Sequence, residues 1–347
     1  MYEIPYQLAR LGHEVRGYCL SYHGAADGQW THDAAPGQLQ WQSRSLGKFI
    51  LPALAAWLLR MERELRAFQP DILIGASDIP HVVLGARLAR KLEVPFVADL
   101  YDNFESFGQA RIPGWVSLFR RAVRHADLVT TTSEALARLV RNEYLARGSV
   151  MAMPSTVDSS VFRPRSKPAC RRELGLPTDA KLIGTAGGLY RAKGIGDLYT
   201  AWPVLAPRRP DVHLVLAGPT EPGFTPPIGS RVHYLGALEH ESVAKLFVAL
   251  DVGVICIHDT AFGRYCFPQK AYEMIACKLP IAGARLGVMP SLLADVPSSF
   301  YTSNDADDLA RVLAQQLDRP AVSGAEIKGW AETISAIEPL LCRLVHS

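Results

Sequence analysis

Two short segments concentrate the residues able to do polar chemistry. The first, GTAGGLYRAKGIGDL at 184–198, runs an apolar strand into Gly187 and Gly188, then Arg191 and Lys193, then a helix. Glycines let a backbone approach a ligand closely, and the N-terminus of the following helix favours anions. Two cations beside such a turn would neutralise a diphosphate, with arginine able to bind in a fork. The same residues also read as an ordinary β-to-α turn with solvated charges. The second segment, FGRYCFPQKAYEMIACKLPIAGA at 262–284, leads a Gly- and Pro-bearing loop into a helix carrying Lys270 and Glu273. Being three apart, they share one helix face. A lysine near a helix start opposes the dipole unless an anion is present. A ligand therefore competes well with a plain intrahelical Lys–Glu pair as the explanation.

Other polar clusters are weaker. DLYDNFE at 99–105 places Asp99, Asp102 and Glu105 three apart, so a helical turn would put them on one face; a polar loop with Asx turns is the plainer account. Ser77, Asp78 and His81 follow another strand end. Asp305-Ala306-Asp307 looks like a metal-binding DxD, yet it precedes a helix, and capping explains it better. No G-x-G-x-x-G follows a strand, which disfavours a dinucleotide. The six cysteines (Cys19, Cys170, Cys256, Cys266, Cys277, Cys342) form no CxxC pair, and no His/Cys cluster has ligand spacing. Reduced thiols and no metal are expected.

The elements that must position these residues alternate. Helix Glu3–Arg10 precedes a strand at 13–21 and a loop at Gly24–Gly37. The spacing of Leu51, Leu54, Leu58, Met61 and Leu65 predicts a helix over Lys48–Phe68. Strands at 71–75, 95–100, 126–132 and 150–153 alternate with helices at 80–92, 114–124 and 134–144. The Pro-bearing stretch 154–180 reads as a linker with a short helix at 171–174. Strands then recur at 181–185, 212–217, 232–235, 252–257 and 280–284. Helices are expected at 196–205, 241–249, 269–276 and 308–317. Such alternation implies two doubly wound parallel sheets, with a ligand in the cleft between domains. The chain opens directly in a helix, where a Rossmann-type half opens with a strand and a glycine turn. The first domain is therefore expected to lack its first strand: either the sequence as given starts after it, or the sheet is shorter.

Composition agrees with two packed cores. The 347 residues are 48% hydrophobic and 20% charged, with 37 basic and 34 acidic side chains. A net charge of +3 is too balanced for a dedicated nucleic-acid binder. The longest nearly unbroken apolar run, Phe49–Leu59, contains Pro52 and falls short of the roughly 20 residues that span a bilayer. No secretory leader is read in Met1–Arg10.

Taken together, GGLYRAKG, GPT at 218–220, VHYLGAL at 232–238 and PQKAYEMIACKLPIAG resemble the retaining glycosyltransferases of family 4, which have the GT-B fold. LARLGHEV at 8–15, PDILIGASD at 70–78, ADLVTTTSEAL at 126–136 and PSTVDSSVFRP at 154–164 extend the resemblance along nearly the whole chain. It implies an acceptor-side Rossmann-like domain at 1–160, a nucleotide-sugar domain at 161–328, and a C-terminal helix at 329–347 returning to the first. It implies transfer of a sugar from a nucleotide-diphospho-sugar to an acceptor hydroxyl, as in surface polysaccharide or glycoconjugate synthesis. Lys193 would contact the donor diphosphate. The family's partner Arg falls on Gly188, so Arg191 would substitute. Glu273 would bind the ribose hydroxyls. The first Glu of the family's E-x7-E falls on Tyr265, while Pro268, Lys270 and Glu273 match a P-x-K-x-x-E variant. Backbone around Cys266 and Phe267 would lie by donor phosphate or sugar, as would Gly187. Tyr101 and Asp102 stand where the family often has a His-Asp pair, and Ser77, Asp78 and His81 would line the acceptor side.

The donor is a co-substrate; no cofactor and no divalent metal are expected. The acceptor would be a glycan or a lipid-linked sugar, in the cytoplasm. Arg111, Arg120, Arg121 and Arg124, with no acid between Ser106 and Ala126, suggest weak peripheral contact with the inner membrane leaflet. The departures at Gly188 and Tyr265 leave two rivals open: a non-catalytic sugar-nucleotide binder and a GT-B sugar-nucleotide epimerase.

Overall fold

The computed structural model describes residues 2–21, 27–45 and 50–346, with the side chains of 50–55 left aside. The expected starts of the 24–37 loop and of the 48–68 helix lie outside the described residues. The chain divides into two compact units. One comprises Met1–Thr132, Leu136–Met153 and Trp330–Ser347; the other comprises Ser133–Ala135 and Pro154–Gly329.

In the first unit, α1 (Glu3–Arg10) and β1 (Glu14–Ser21) are followed by β2 (Gly28–Ala34) and β3 (Gly37–Ser45). The expected loop at 24–37 is thus partly a strand: β2 pairs antiparallel with β3, and β3 pairs parallel with β1. These strands are mostly polar, with Leu39 fully buried and Trp41 lying against Gly17 on β1. A Cβ on Gly17 would fall 2.2 Å from the Trp41 ring, so that crossing needs glycine. Next come α2 (Ile50–Phe68), β4 (Leu73–Gly75), α3 (Ile79–Leu92), β5 (Phe96–Leu100), α4 (Trp115–Arg124), β6 (Leu128–Thr131), α5 (Glu134–Asn142) and β7 (Ser149–Ala152). Strands β4 to β7 form a second, parallel sheet in sequence order. Where one doubly wound sheet was expected, the described strands therefore form two. Met61 and Leu65 of α2 pack with Tyr18 of β1, Leu73 of β4 and Leu88 of α3, so one helix covers parts of both.

The second unit holds α6 (Lys167–Glu173), β8 (Lys181–Ala186), α7 (Gly196–Leu205), β9 (Val212–Ala217), β10 (Val232–Tyr234), α8 (His240–Ala249) and β11 (Val252–Ile255). It continues through α9 (Ala261–Tyr265), α10 (Gln269–Ala276), β12 (Ile281–Ala284), α11 (Met289–Leu292), β13 (Phe300–Tyr301) and α12 (Ala306–Asp318). Its six strands lie in the order β10-β9-β8-β11-β12-β13, all parallel. Strands such as LIGTA of β8 are buried along their length, as expected for a sheet with helices on both faces.

The stretch 154–180 is not a linker. Val157, Phe162, Cys170 and Leu176 are core residues of the second unit. Arg171 of α6 is buried, donates to the carbonyls of Ala249, Thr178 and Ala180, and pairs with Asp251 at 2.7 Å. Prolines there break the hydrophobic period without loosening the packing. The boundary therefore falls at Met153–Pro154 instead of 160. Helix α13 (Trp330–Val345) belongs to the first unit, where Ile334 and Ile337 pack with Leu8 of α1 and Met153.

Candidate functional site

In the second unit the strand order reverses between β8 and β11, the switch point where open α/β sheets bind ligands beyond their carboxyl ends. The chain leaves β8 at Gly187, with φ +108°, and reaches α7 through Gly194, with φ +80°. A Cβ on Gly194 would lie 3.0 Å from the His258 ring and 3.1 Å from the Ile257 amide nitrogen. The turns after β8 and β11 are thus in contact, with bare backbone between them.

Lys270, in the first turn of α10, reaches over this turn. A Cβ on Gly187 would be 3.7 Å from its Nζ. Burial pushes the Lys270 pKa down; the charge of Lys193 pushes the same way, and Glu273 opposes it. Lys193 and Glu273 therefore both act on one ammonium, from the β8 turn and from the next turn of α10. Neither lysine has a carboxylate ion pair among the described residues; Lys193 lies 5.8 Å from the Tyr190 ring centre. Burial raises the Glu273 carboxyl to about 7, with Lys270 pulling it down.

Arg191 does not join this pair. Its guanidinium lies 3.5 Å from Glu221, donates to the Gly223 carbonyl at 3.1 Å and stacks 4.3 Å from the Phe224 ring centre. Its charge is already answered by the loop after β9, and the second cation is Lys270. Gly188 is covered by Tyr190: a Cβ there would meet that ring at 2.5 Å. Tyr265 ends α9 and is partly buried. Cys266 is buried, and its amide donates to the Phe262 carbonyl at 2.8 Å, so that amide is not offered to a ligand. Phe267 packs its ring on Tyr272 at 4.5 Å. The expected two-residue amide cradle thus narrows to Phe267.

One group escaped the sequence reading. Asp197, in the first turn of α7, is buried and accepts hydrogen bonds from the Tyr301 hydroxyl at 3.0 Å and the Asn304 amide at 3.1 Å. His258 Nε2 lies 3.3 Å from its other oxygen. This carboxylate joins the ends of β8, β11 and β13. Its only signal was an acid in a helix first turn beside a glycine-rich loop.

In the first unit, neighbouring strands β4 and β5 carry the acceptor-side candidates at their carboxyl ends. Ser77 holds φ +89°. Asp78 caps α3, accepting from the His81 amide at 3.0 Å, with His81 Nδ1 2.6 Å from the same oxygen and Gln109 donating to the other at 3.2 Å. Tyr101 is held above the ordinary tyrosine range by burial first, then by the charges of Asp102, Asp78 and Asp99. These residues share one neighbourhood. Asp99, Asp102 and Glu105 do not share a face, because the chain stays extended and then bends. Asp99 is buried on β5 against the Thr130 hydroxyl at 2.6 Å, and Asp102 accepts from the Asn103 amide at 2.7 Å. Glu105 binds Arg120 through two hydrogen bonds of 2.6 and 2.7 Å. Asp305 caps α12 through the Asp308 amide, as the capping reading required.

Residues 2–156 match the glycosyl transferase 4-like domain, and residues 180–319 match the glycosyl transferases group 1 domain. The chain belongs to glycosyltransferase family 4. The D-inositol 3-phosphate glycosyltransferase of Mycolicibacterium smegmatis is 28% identical to this family member over 239 residues, 63% of this chain and 53% of the relative. The chain spans about half the length of the curated relatives it matches. Its fold is similar to sucrose-phosphate synthase from Thermosynechococcus elongatus, at TM-score 0.74 and 18% identity, over 99% of this chain and 90% of that one. It is also similar to Anabaena HepE in complex with UDP and glucose, at TM-score 0.63 and 19% identity, over 88% and 84% of the two chains. The fold of this family member is GT-B, with two Rossmann-like units. Among the described residues, no helix is long and apolar enough to cross a membrane.

Proposed function

We propose that the chain transfers a sugar from a nucleotide-diphospho-sugar to an acceptor hydroxyl with retention of configuration. One observation carries the reading: Lys270 lies over the bare Gly187 turn of the switch point and feels the charges of Lys193 and Glu273, with no carboxylate ion pair to either lysine among the described residues. Two ammonium groups within electrostatic reach of each other at the end of a sheet match a diphosphate. Glu273, one turn further along α10, suits ribose hydroxyls. As the sugar leaves, negative charge grows on the diphosphate, and Lys193 and Lys270 stabilise it more strongly in that state than in the ground state. Asp102, with Tyr101, Ser77, Asp78 and His81 on the first unit, is assigned to the acceptor and transferred sugar.

HepE in complex with UDP and glucose makes UDP the first nucleotide to test. The relatives named for D-inositol 3-phosphate make a phosphorylated polyol the first acceptor, ahead of glycan and lipid-linked sugars. Calorimetry with UDP and UDP-glucose, followed by product analysis with and without acceptor, decides the reading. A glycosylated acceptor supports it. Nucleotide binding with no acceptor-dependent product would leave only a binder or an epimerase.

We also assign the chain to the cytoplasm, with weak contact to an anionic leaflet through α4 and the segment before it. Ile112 and Leu118 are exposed there at 48% and 50%, beside Arg111, Arg121 and Arg124. Arg120 is withdrawn from that face by Glu105. Each basic residue adds about 1 kcal/mol. Co-sedimentation with anionic over neutral vesicles is the expected result, and equal pelleting would refute it.

A further inference from the structure

A second polar cluster lies within the first unit, away from the residues assigned above. His13 stands between α1 and β1, and Glu338 and Cys342 lie one turn apart on α13. His13 Nε2 is 3.1 Å from Glu338 Oε1, and the Cys342 thiol donates to the same oxygen at 3.0 Å. The three donor atoms all lie within 4.8 Å of one another. The sequence hides this trio, because His13 stands 325 residues from Glu338 and the three match no ligand spacing.

We propose that His13, Glu338 and Cys342 form a zinc(II) site with one open position. Zinc takes imidazole nitrogen, carboxylate oxygen and thiolate sulfur at roughly 2.0–2.3 Å in a tetrahedron, which sets donor-to-donor edges of roughly 3.3–3.7 Å. The two short separations fall just under that range, so small side-chain rotations admit an ion. The donor set selects the metal: a thiolate beside an imidazole suits zinc and disfavours magnesium and calcium. On binding, the S–H bond of Cys342 breaks and its proton leaves to solvent. A zinc–sulfur bond replaces the hydrogen bond to Glu338, and His13 binds as the neutral ring.

The backbone is prepared on both sides. The His13 amide donates to the Leu8 carbonyl at 3.3 Å, and its carbonyl accepts from Gln38 at 3.2 Å. Helix α13 is anchored by Ile334 and Ile337. All three ligands are partly exposed, so an ion reaches them without unfolding. The open fourth position takes water. The consequence is mechanical: one ion would tie the last helix to the start of the first unit.

Cobalt(II) titration of the full chain tests the site, with cobalt as a spectroscopic stand-in for zinc. One equivalent should bind, with tetrahedral visible bands and a thiolate charge-transfer band, and zinc should displace it. Cys342→Ser should abolish the charge-transfer band, and His13→Gln and Glu338→Gln should each weaken binding tenfold or more. Cys19→Ser, a thiol elsewhere in the same unit, should change neither. Metal-free thermal melts matching the parent show that the variants fold. A parent chain without the band, or a band unchanged in Cys342→Ser, would overturn the proposal.

Discussion

Replacing Lys270 by methionine separates a ligand-binding lysine from a merely structural one. The side chain keeps its apolar length and loses its charge. In the ligand-free protein this lysine has a neighbouring cation, Lys193, and no carboxylate ion pair among the described residues, and burial depresses its pKa. Removing the charge should therefore stabilise the free protein by about 1 kcal/mol, since the cost of burying the ammonium outweighs the pull of Glu273 on it. At this chain size that is a rise in Tm of roughly 2 °C. Nucleotide diphosphate binding should move the other way. A hydrogen bond to a charged partner is worth about 1.5–3 kcal/mol, or roughly 10–150-fold in Kd. The pH dependence has a matching sign. Between the depressed Lys270 pKa and the ordinary lysine value, the unfolded chain binds more protons, so stability should rise with pH. That rise should vanish in Lys270→Met. Calorimetry with UDP and melts across pH measure both effects. A less stable free protein with unchanged UDP affinity would refute the reasoning, because Lys270 would then be a packing residue.

The other expectations follow from the same geometry. Glu273 sits near 7, so UDP binding through its carboxylate should strengthen as pH rises through about 7, and Glu273→Gln should flatten that titration; an unchanged profile would remove Glu273 from the site. The folded state also holds that proton between the ordinary carboxyl value and about 7, so its contribution to stability falls as pH climbs through the same window, and denaturant melts of Glu273→Gln should lack the fall. Arg191→Ala should change UDP affinity by less than about threefold, because Glu221 already neutralises the guanidinium and exposed pairs are worth roughly 0–1 kcal/mol; a tenfold loss in calorimetry would return Arg191 to the diphosphate. Asp197→Ala should cost about 1–3 kcal/mol in urea unfolding, because it leaves the Tyr301 hydroxyl and the Asn304 amide without their shared acceptor; an unchanged midpoint would show that this carboxylate does not brace the switch point.

What the sequence displayed well were the parallel strands and the turns that end them. LIGTA, VHLVLA and VGVI are short apolar runs that only a doubly covered sheet buries. The glycines after β8 marked a bare turn whatever bound there. The polar strands β2 and β3 were much harder to see. QLQWQ does alternate, with Leu39 and Trp41 two apart, but two apolar positions make a short period-two signal that is easily passed over. Residues 154–180 failed for the opposite reason: prolines suggested a linker, while Arg171 bonds three carbonyls that no local pattern reveals. The site divided in the same way. Lys193, Lys270 and Glu273 could be read from position within a motif. The fate of Arg191 depended on Glu221 and Gly223, thirty residues on, and Asp197 needed Tyr301 across the sheet.

The departure from the family pattern at Gly188 is matched by a neighbouring ring. At 188 the family carries an arginine, and here Tyr190 lays its ring over the bare glycine. An arginine could enter only by displacing that ring, and it would add a third cation beside two that have no carboxylate ion pair among the described residues. Glycine at 188 and tyrosine at 190 thus act as one exchange, in which an aromatic face replaces a guanidinium. The ring offers its π-face within about 6 Å of a cation, here Lys193. Lys270 then supplies the charge that the arginine would have brought, from α10 and not from the β8 turn. That arrangement makes the proposed diphosphate site depend on the seating of α10, whose first turn rests on Gln269 donating to the Thr156 carbonyl at 2.6 Å. The stretch 154–180, which local sequence suggests is slack, is therefore part of what aims Lys270.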